Sequence, residues 1–156
     1  MIGIKEILEI TTPYITSYHK FSISGEIFHR QNGRKLYNNL IREQVSDNAG
    51  IYIWVNSKTD SIVYIGMAGK IKNDGSLADH SVQNRLLASR GKDKVTKKDI
   101  QTNDFVSNYM EINGVACLDF YILYSKNDEP ASYVEALALY NYFKTYRKLP
   151  ELNNSF

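Results

Sequence analysis

The segment Gly50–Gly66, with the sequence GIYIWVNSKTDSIVYIG, constrains the fold more than any other part of the chain. Two short runs rich in β-branched and aromatic residues flank the polar residues 56–60, and within each run the side chains alternate between two faces. Two such runs joined by a short polar loop are typical of a β-hairpin. The segment therefore predicts a pair of antiparallel strands.

The register of this hairpin is predicted from its apolar side chains. One face is expected to carry Ile51, Ile53 and Val55 of the first strand and Val63 and Ile65 of the second. Pairing these sets places Ile51 opposite Ile65, because a one-residue slip would turn every side chain to the other face. In this register Tyr52 lies directly across from Tyr64 on the opposite face, so the two rings are expected to be neighbours.

The remaining pattern predicts four helices and two further strands, with either a helix or a loop between the segment 81–90 and the strand over 115–124. Apolar spacing indicates helices within residues 2–10, 34–45, 81–90 and 131–146, and strands over 20–29 and 115–124. Ser81 is expected to cap the third helix and Gly91 to stop it. The hairpin and the strand over 115–124 then form a small mixed three-stranded sheet flanked by helices, which is an α/β (α+β) fold.

The domain organisation is predicted from length and turns. A chain of 156 residues fits one domain. Residues 47–50 form a turn before the hairpin. We therefore expect residues 1–47 to be an N-terminal elaboration packed on the core and residues 48–156 to be the main unit.

Cysteine content, hydropathy and charge narrow the class of protein. The single cysteine, Cys117, excludes an internal disulfide and a cysteine-rich zinc site. No apolar run approaches the roughly 18 residues of a membrane span, and the segment MIGIKEILEI lacks the apolar core of a signal peptide. A cytoplasmic protein without membrane contact is expected. The net charge of +2 is too small to indicate nucleic-acid binding by itself.

Glu135 lies in the segment SYVEALAL, within a predicted helix that is apolar almost all round. A carboxylate in such a place must be ion-paired, hydrogen-bonded or bound to metal, because burying it bare costs several kcal/mol. A salt bridge to Arg85 or to a lysine is one interpretation. Considered together with the paired tyrosines, the favoured interpretation is a ligand of one hard cation, Mg²⁺ or Mn²⁺, completed by water and phosphate oxygens.

The order of five residues and their motifs resembles the signature of the GIY-YIG nuclease superfamily. The sequences Gly-Ile-Tyr and Tyr-Ile-Gly carry Tyr52 and Tyr64 at the two ends of the hairpin. Arg85 in NRLL, Glu135 in SYVEALAL and Asn153 in LPELN match the superfamily's helical arginine, metal-binding glutamate and C-terminal asparagine. The resemblance implies a GIY-YIG nuclease-like fold and a nucleic-acid phosphodiester as substrate.

The resemblance also implies a role for each of these residues. Tyr52 is expected to be the general base that takes a proton from the attacking water, and Tyr64 to position water or phosphate. Arg85 is expected to hold the scissile phosphate and to stabilise its added charge. Glu135 is expected to bind the single metal ion, and Asn153 to orient Glu135 or to bind phosphate.

A cation is needed beside Tyr52 for this chemistry. A tyrosine with a pKa of about 10 is a poor base near neutral pH unless neighbouring cations favour its phenolate. Arg85, Lys70 and Lys72 are candidates. Some restriction enzymes of the superfamily place a lysine after the second motif, and the sequence leaves Lys70 and Lys72 as alternatives.

A basic segment follows the arginine helix. The segment begins with Arg90 and continues with Lys92 and Lys94. Arg90 is also an alternative to Arg85 as the phosphate-binding arginine. Such a segment is usually a solvated face, but after a phosphate-binding arginine it favours non-specific contact with the DNA backbone. The expected DNA-binding residues are Lys70, Lys72, Arg90, Lys92 and Lys94.

Two features depart from the superfamily pattern. Members often carry a histidine or tyrosine four residues after the helical arginine, where this chain has Ser89. The loop between Gly66 and Arg85 is long, and His80 within it is a candidate to return to the site.

The expected function is a divalent-metal-dependent endonuclease that hydrolyses double-stranded DNA. The compact chain resembles a restriction-type or stand-alone bacterial member of the superfamily, for which a homodimer is a candidate assembly. The alternative, favoured by Ser89, is a catalytically inactive nucleic-acid-binding module on the same fold.

Overall fold

A computed structural model describes residues 2–77 and 81–155, which form five α-helices and six β-strands. The helices are α1 (Ile4–Thr11), α2 (Gly33–Gln44), α3 (Val82–Leu87), α4 (Thr102–Ile112) and α5 (Ala131–Tyr146). The strands are β1 (Ile15–Ser24), β2 (Gly50–Asn56), β3 (Ser61–Ala68), β4 (Ser89–Lys92), β5 (Asp99–Gln101) and β6 (Cys117–Ser125).

The main sheet has four strands in the order β1-β6-β2-β3, and every neighbouring pair is antiparallel. Strands β4 and β5 form a separate small hairpin. The α+β class is confirmed. The expectation of a mixed three-stranded sheet is wrong, because β1 adds a fourth strand and no pair among the described strands is parallel.

Two apolar layers enclose the sheet, so that its central strands are buried on both faces. Helices α1 and α5 cover one face through side chains such as Ile7 and Val134. Helices α2, α3 and α4 cover the other face, where Tyr52, Trp54 and Leu86 lie in the core. Burial of these side chains is the main favourable term in folding.

The N-terminal 47 residues belong to the same sheet and core as the remainder. Phe21 and Ile23 of β1 face the layer of α2 to α4, and the partner of Phe21 across the strands is Phe120. Strand β1 begins at residue 15, and residues 25–29 form a 3-10 turn, so the predicted strand over 20–29 is displaced. The boundary at residue 47 stays a prediction.

The observed register of the β2–β3 hairpin differs from the predicted one by two residues. Tyr52 pairs with Gly66, and Trp54 pairs with Tyr64. A β-bulge at Val63 inserts an extra residue, which turns Val63 to the face of Trp54 and puts Ile62 on the other face. The prediction of Tyr52 opposite Tyr64 is therefore wrong. Their shared face is correct, because a shift of two residues preserves the alternation.

The structure also corrects one helical prediction and resolves one segment that the sequence left open. The arginine helix ends at Leu87 rather than near Gly91, because the chain turns at Ala88 into β4. Helix α4 occupies the segment for which a helix and a loop were both open, and its buried residues Val106, Tyr109 and Met110 have helical spacing. The helices over 4–11, 33–44 and 131–146 match the predicted segments.

Within residues 2–77 and 81–155, no helix is both long enough and apolar enough to cross a bilayer.

Candidate active site

One cavity of about 630 Å³ brings together four of the five predicted catalytic residues. Tyr52, Tyr64, Arg85 and Glu135 all line it. The remaining lining residues are Met67, Ala68, Gly69, Lys70 and Ser155. The carboxylate, the guanidinium and the phenols therefore share one pocket.

The cavity lies where the two helical layers meet, at the end of edge strand β3. Tyr52 and Tyr64 reach it from the sheet face covered by α2, α3 and α4. Glu135 reaches it from α5, which packs on the other face. An acid from one layer can face phenols from the other only beside an edge strand, since central strands separate the layers.

The two tyrosine rings are in contact, with centroids 5.7 Å apart. Gly66 makes this possible, because a Cβ at this position would lie 2.5 Å from Tyr52 Cζ and 2.7 Å from Tyr64 Cε1. What occupies the space is the ring of Tyr52, so the glycine of one motif accommodates the tyrosine of the other.

The two phenols differ in exposure. Tyr64 is half-buried, whereas the Tyr52 side chain is 1% exposed. Burial raises the pKa of Tyr52 well above its ordinary value, and Tyr64 raises it further, while Arg90 and Arg85 act in the opposite direction. The Tyr52 hydroxyl is thus neutral at rest and depends on cations for any role as a base.

Glu135 is a half-buried carboxylate with no salt-bridge partner among residues 2–77 and 81–155. Burial raises the pKa of Glu135, and the charge of Lys70 partly offsets this effect. The one ion pair among the described residues joins Lys20 to Asp119, so the predicted alternative of a salt bridge from Glu135 to Arg85 or a lysine is not observed. A partly buried carboxylate without a partner destabilises the folded protein, so the binding of a cation to Glu135 would be favourable.

Arg85 is exposed at the cavity, on a short helix with defined supports. The hydroxyl of Ser81 accepts a hydrogen bond from the Asn84 backbone N–H at 3.1 Å, which confirms the predicted cap. The buried Tyr37 hydroxyl donates to the Leu86 carbonyl oxygen at 3.1 Å. Helix α2, which lies in the N-terminal segment, therefore positions the arginine.

The four lysines among the predicted DNA-binding residues fall in three places. Lys70 lines the cavity, whereas Lys72 lies in an exposed turn and is not part of the lining. Lys92 and Lys94 are exposed on the β4–β5 hairpin. Lys70, rather than Lys72, is therefore the lysine next to the tyrosines and Glu135.

Arg90 differs from these lysines because its guanidinium is packed against aromatic rings. Its Cζ lies 4.5 Å from the ring centroid of Phe105 and 4.8 Å from that of Tyr64. The sequence predicted a DNA contact at this position and did not identify the role of Phe105. The helical spacing of Phe105 with Val106 and Tyr109 was the available signal for a packed helix there.

Asn153 lies beside the site and holds the edge strand. Its Oδ1 accepts a hydrogen bond from the Ile65 backbone N–H at 2.9 Å, and its Nδ2 donates to the Ile65 carbonyl oxygen at 2.7 Å. The side chain thus pairs with β3 as a neighbouring strand would. This geometry differs from the expectation that Asn153 orients Glu135 or binds phosphate.

Replacing Asn153 with alanine should lower the free energy of unfolding by about 1–3 kcal/mol, because two backbone groups of Ile65 lose their partners. Urea denaturation would measure the change. Asn154→Ala, at the exposed neighbouring position, should shift stability by less than about 0.5 kcal/mol. Unchanged stability together with weaker DNA binding in Asn153→Ala would instead assign this side chain to phosphate.

Two remaining predictions concern the loops. The Ser89 hydroxyl accepts a hydrogen bond from the Gly91 backbone N–H at 3.2 Å, so it supports a turn rather than replacing a catalytic histidine or tyrosine. His80 lies outside the described residues.

The chemistry of the site fits one hard cation. Within residues 2–77 and 81–155, no group of three or more His, Cys, Asp or Glu side chains is arranged to hold a metal. Mg²⁺ commonly binds through one or two carboxylates and completes its shell with water and substrate phosphate. Glu135, a single carboxylate that lines an open cavity, could bind Mg²⁺ in this way.

Comparison of the chain with models of protein families, with curated proteins and with solved structures yields no match.

Proposed function

We propose that this protein is a divalent-metal-dependent endonuclease of the GIY-YIG type, which hydrolyses phosphodiester bonds of double-stranded DNA. The observation that supports this most directly is the cavity in which Glu135, Arg85 and the Tyr52–Tyr64 pair converge. Phosphodiester hydrolysis needs groups that bind phosphate, activate water and stabilise the leaving oxygen. The cavity offers a candidate for each.

Arg85 binds the scissile phosphate in this proposal. The side chain is exposed at the cavity and has no carboxylate within ion-pair distance among the described residues. A planar guanidinium can donate two parallel hydrogen bonds to phosphate oxygens. It can also stabilise the negative charge that develops as the water oxygen attacks phosphorus.

Glu135 is the residue that would hold Mg²⁺ or Mn²⁺, one ion per site. The bound cation would supply Lewis-acid stabilisation of the leaving 3′-oxygen. Lys70 lies at the same cavity, and its charge favours the ionised, metal-binding form of Glu135.

Tyr52 accepts the proton of the attacking water, and Tyr64 positions that water. Because burial raises the pKa of Tyr52, the phenolate forms only with the help of Arg90 and Arg85. The rate of cleavage should therefore increase as the pH rises above neutrality, since the fraction of phenolate increases.

Contacts with duplex DNA involve the basic residues around the cavity. Lys70 at the site and Lys92 and Lys94 on the adjacent hairpin are exposed and free to reach phosphates. Such contacts make affinity fall with salt. A restriction-type enzyme acting in the cytoplasm, as a homodimer with one site per strand, is the form of this function that we favour.

A plasmid cleavage assay with Mg²⁺ or Mn²⁺ tests this function. The wild-type protein should cut DNA, and Arg85→Ala should reduce the rate by roughly 10²–10³-fold, as expected for loss of a preorganised donor to the transition state. Arg42→Ala, which removes an exposed arginine of α2, is the matched control and should cleave normally. Absence of metal-dependent cleavage by the wild-type protein would refute the proposal.

The second candidate is a nucleic-acid-binding module that has lost catalysis. The buried, neutral Tyr52 and the use of Ser89 in a turn favour it. Salt-dependent DNA binding that Arg85→Ala weakens, without cleavage under any metal or pH condition, would select this alternative.

A further inference from the structure

Arg90 occupies an aromatic cage between the sheet and helix α4. Its guanidinium carbon lies 4.5 Å from the ring centroid of Phe105, 4.8 Å from that of Tyr64 and 5.6 Å from that of Trp54. These rings come from α4, β3 and β2. Attraction to several ring faces is a recognised way to hold a partly desolvated cation, and it suits the planar guanidinium of arginine.

The rings of the cage carry no carboxylate that could pair with the positive charge. Among the described residues, no carboxylate lies within ion-pair distance of Arg90. Two buried side-chain donors of the described residues lack hydrogen-bond partners, and both belong to this cluster: Arg90 Nη1 and Trp54 Nε1. Buried unpaired donors are costly, and each one in a native structure needs an explanation.

The titratable groups that interact with the charge of Arg90 are Tyr52 and Tyr64 of the candidate site. Burial lowers the pKa of Arg90, but the neighbouring Tyr64 and Tyr52 hydroxyls raise it, and their effect prevails. Conversely, Arg90 is the cation with the largest lowering effect on the pKa of Tyr52, ahead of Arg85. Among the described residues, the titratable groups around Tyr52 are Tyr37 of α2, Tyr64 of β3, Arg85 of α3, Arg90 of β4, Lys70 of the loop after β3 and Glu135 of α5.

We infer that Arg90 is a positioning residue of the active site, a caged cation that stabilises the phenolate of the Tyr52–Tyr64 pair and thereby enables proton abstraction from water. This inference rests on the proposed nuclease function. It gives the two arginines separate tasks: Arg85 faces the open cavity and binds phosphate, whereas Arg90 acts on the tyrosines from within the protein.

In the proposed reaction, Tyr52 accepts the proton that the attacking water loses. The Tyr52 phenolate takes a proton from water as the water oxygen forms a bond to phosphorus and the bond from phosphorus to the 3′-oxygen breaks. The 3′-alkoxide takes a proton from solvent, and Tyr52 later returns its proton to solvent. Arg90 neither gains nor loses a proton in this sequence.

The pH dependence of cleavage tests this role. Arg90→Met keeps an apolar side chain among the rings but removes the charge, so the pH at which activity reaches half its maximum should rise by at least about one unit. Arg90→Lys keeps a charge and should recover most of the wild-type profile, and it also guards against a folding defect in Arg90→Met. An equal loss of rate at every pH in both variants would mean that Arg90 is merely structural and would overturn the inference.

DNA binding without metal separates positioning from phosphate contact. Arg90→Met should bind duplex DNA as tightly as the wild-type protein, whereas Arg85→Ala should bind several-fold more weakly. Tenfold weaker binding by Arg90→Met with an unchanged pH profile would make Arg90 a phosphate contact and would overturn the inference.

Fluorescence of Trp54 gives a measurement that does not require cleavage. Trp54 is the single tryptophan, and its ring centroid lies 4.9 Å from that of Tyr64 and 6.0 Å from that of Tyr52. Ionised tyrosine accepts excitation energy from tryptophan, so emission should fall when these phenols ionise, over the pH range in which circular dichroism shows a folded protein.

The midpoint of this quenching should move to higher pH in Arg90→Met and stay unchanged in the exposed control Arg42→Met. The quenching should shrink in Tyr64→Phe, which identifies its source. An unmoved midpoint in Arg90→Met would overturn the inference. A shifted midpoint in a protein that cuts no DNA would uphold the coupling of Arg90 to the tyrosines while refuting the nuclease function.

Discussion

Replacing Glu135 with glutamine should greatly slow DNA cleavage while making the metal-free protein more stable. A metal ion contributes several kcal/mol of transition-state stabilisation, and each 1.4 kcal/mol corresponds to about a factor of ten in rate. Loss of the carboxylate ligand should therefore reduce the rate by on the order of 10³-fold. Glutamine keeps the size of the side chain but removes a half-buried charge that has no ion-pair partner in the part of the chain that the structure describes.

The stability gain in Glu135→Gln should depend on pH. Burial raises the pKa of Glu135, so the native state binds this proton more tightly than the unfolded chain does. The wild-type protein therefore loses stability as the pH rises through the raised pKa. The variant should have the higher urea midpoint near pH 8, and the difference should vanish below about pH 4, where Glu135 is protonated in both states.

Metal titration completes this test. Mg²⁺ should raise the melting temperature of the wild-type protein, because a ligand that binds only the native state stabilises it. The same titration should leave Glu135→Gln unchanged. Glu43→Gln, an exposed position on α2, should behave as wild type in all three measurements. Normal cleavage by Glu135→Gln would remove Glu135 from the mechanism.

The substitution Gly66→Ala should impair both folding and catalysis. The added methyl group would lie 2.5 Å from Tyr52 Cζ and 2.7 Å from Tyr52 Oη. Tyr52 is buried against Trp54, with ring centroids 6.0 Å apart, so its ring has little room to move. We expect a loss of about 2–3 kcal/mol, typical of overpacking in a core, together with a cleavage rate reduced more than tenfold.

A double-mutant cycle isolates the contact between these two residues. In the Tyr52→Leu background the clash with the Tyr52 ring is removed and the approach to Tyr64 Cε1 at 2.7 Å remains. Gly66→Ala should therefore cost about 1 kcal/mol less in this background than in the wild-type protein, and this difference is the coupling energy. Gly25→Ala is the control, because its Cβ would meet Met110 Cε at 3.4 Å, an ordinary contact. An equal cost of Gly66→Ala in both backgrounds would show that the Tyr52 ring is not the obstacle.

Local pattern predicted the parts of the fold that depend on alternation or helical spacing. The strands of the hairpin, helices α1, α2 and α5 and the Ser81 cap were all correctly expected, because each follows from contacts within a few residues. The pattern also indicated that Tyr52 and Tyr64 share a face. This held despite the wrong register, because alternation has a period of two.

Features that depend on distant parts of the chain were not predictable in this way. Tyr52 pairs with Gly66, and a bulge follows at Val63. In this register the Tyr52 ring lies over the glycine, where a side chain would clash with it. The addition of β1 to the sheet depends on pairing with β6, more than ninety residues away along the chain. The same holds for Asn153, whose side chain bonds to Ile65 in the edge strand.

The amino-acid sequence alone predicted the candidate catalytic residues: two phenols on one face of a hairpin, a guanidinium on a following helix and a carboxylate in an apolar helix. The tertiary structure decided which of these residues lie together. It placed Glu135 and the tyrosines at one edge cavity although they come from opposite layers, and it placed Arg85 in the open cavity and Arg90 among aromatic rings. The reason is physical: side-chain periodicity acts over one or two turns, whereas cavities, cages and charge interactions form between segments that only long-range packing brings together.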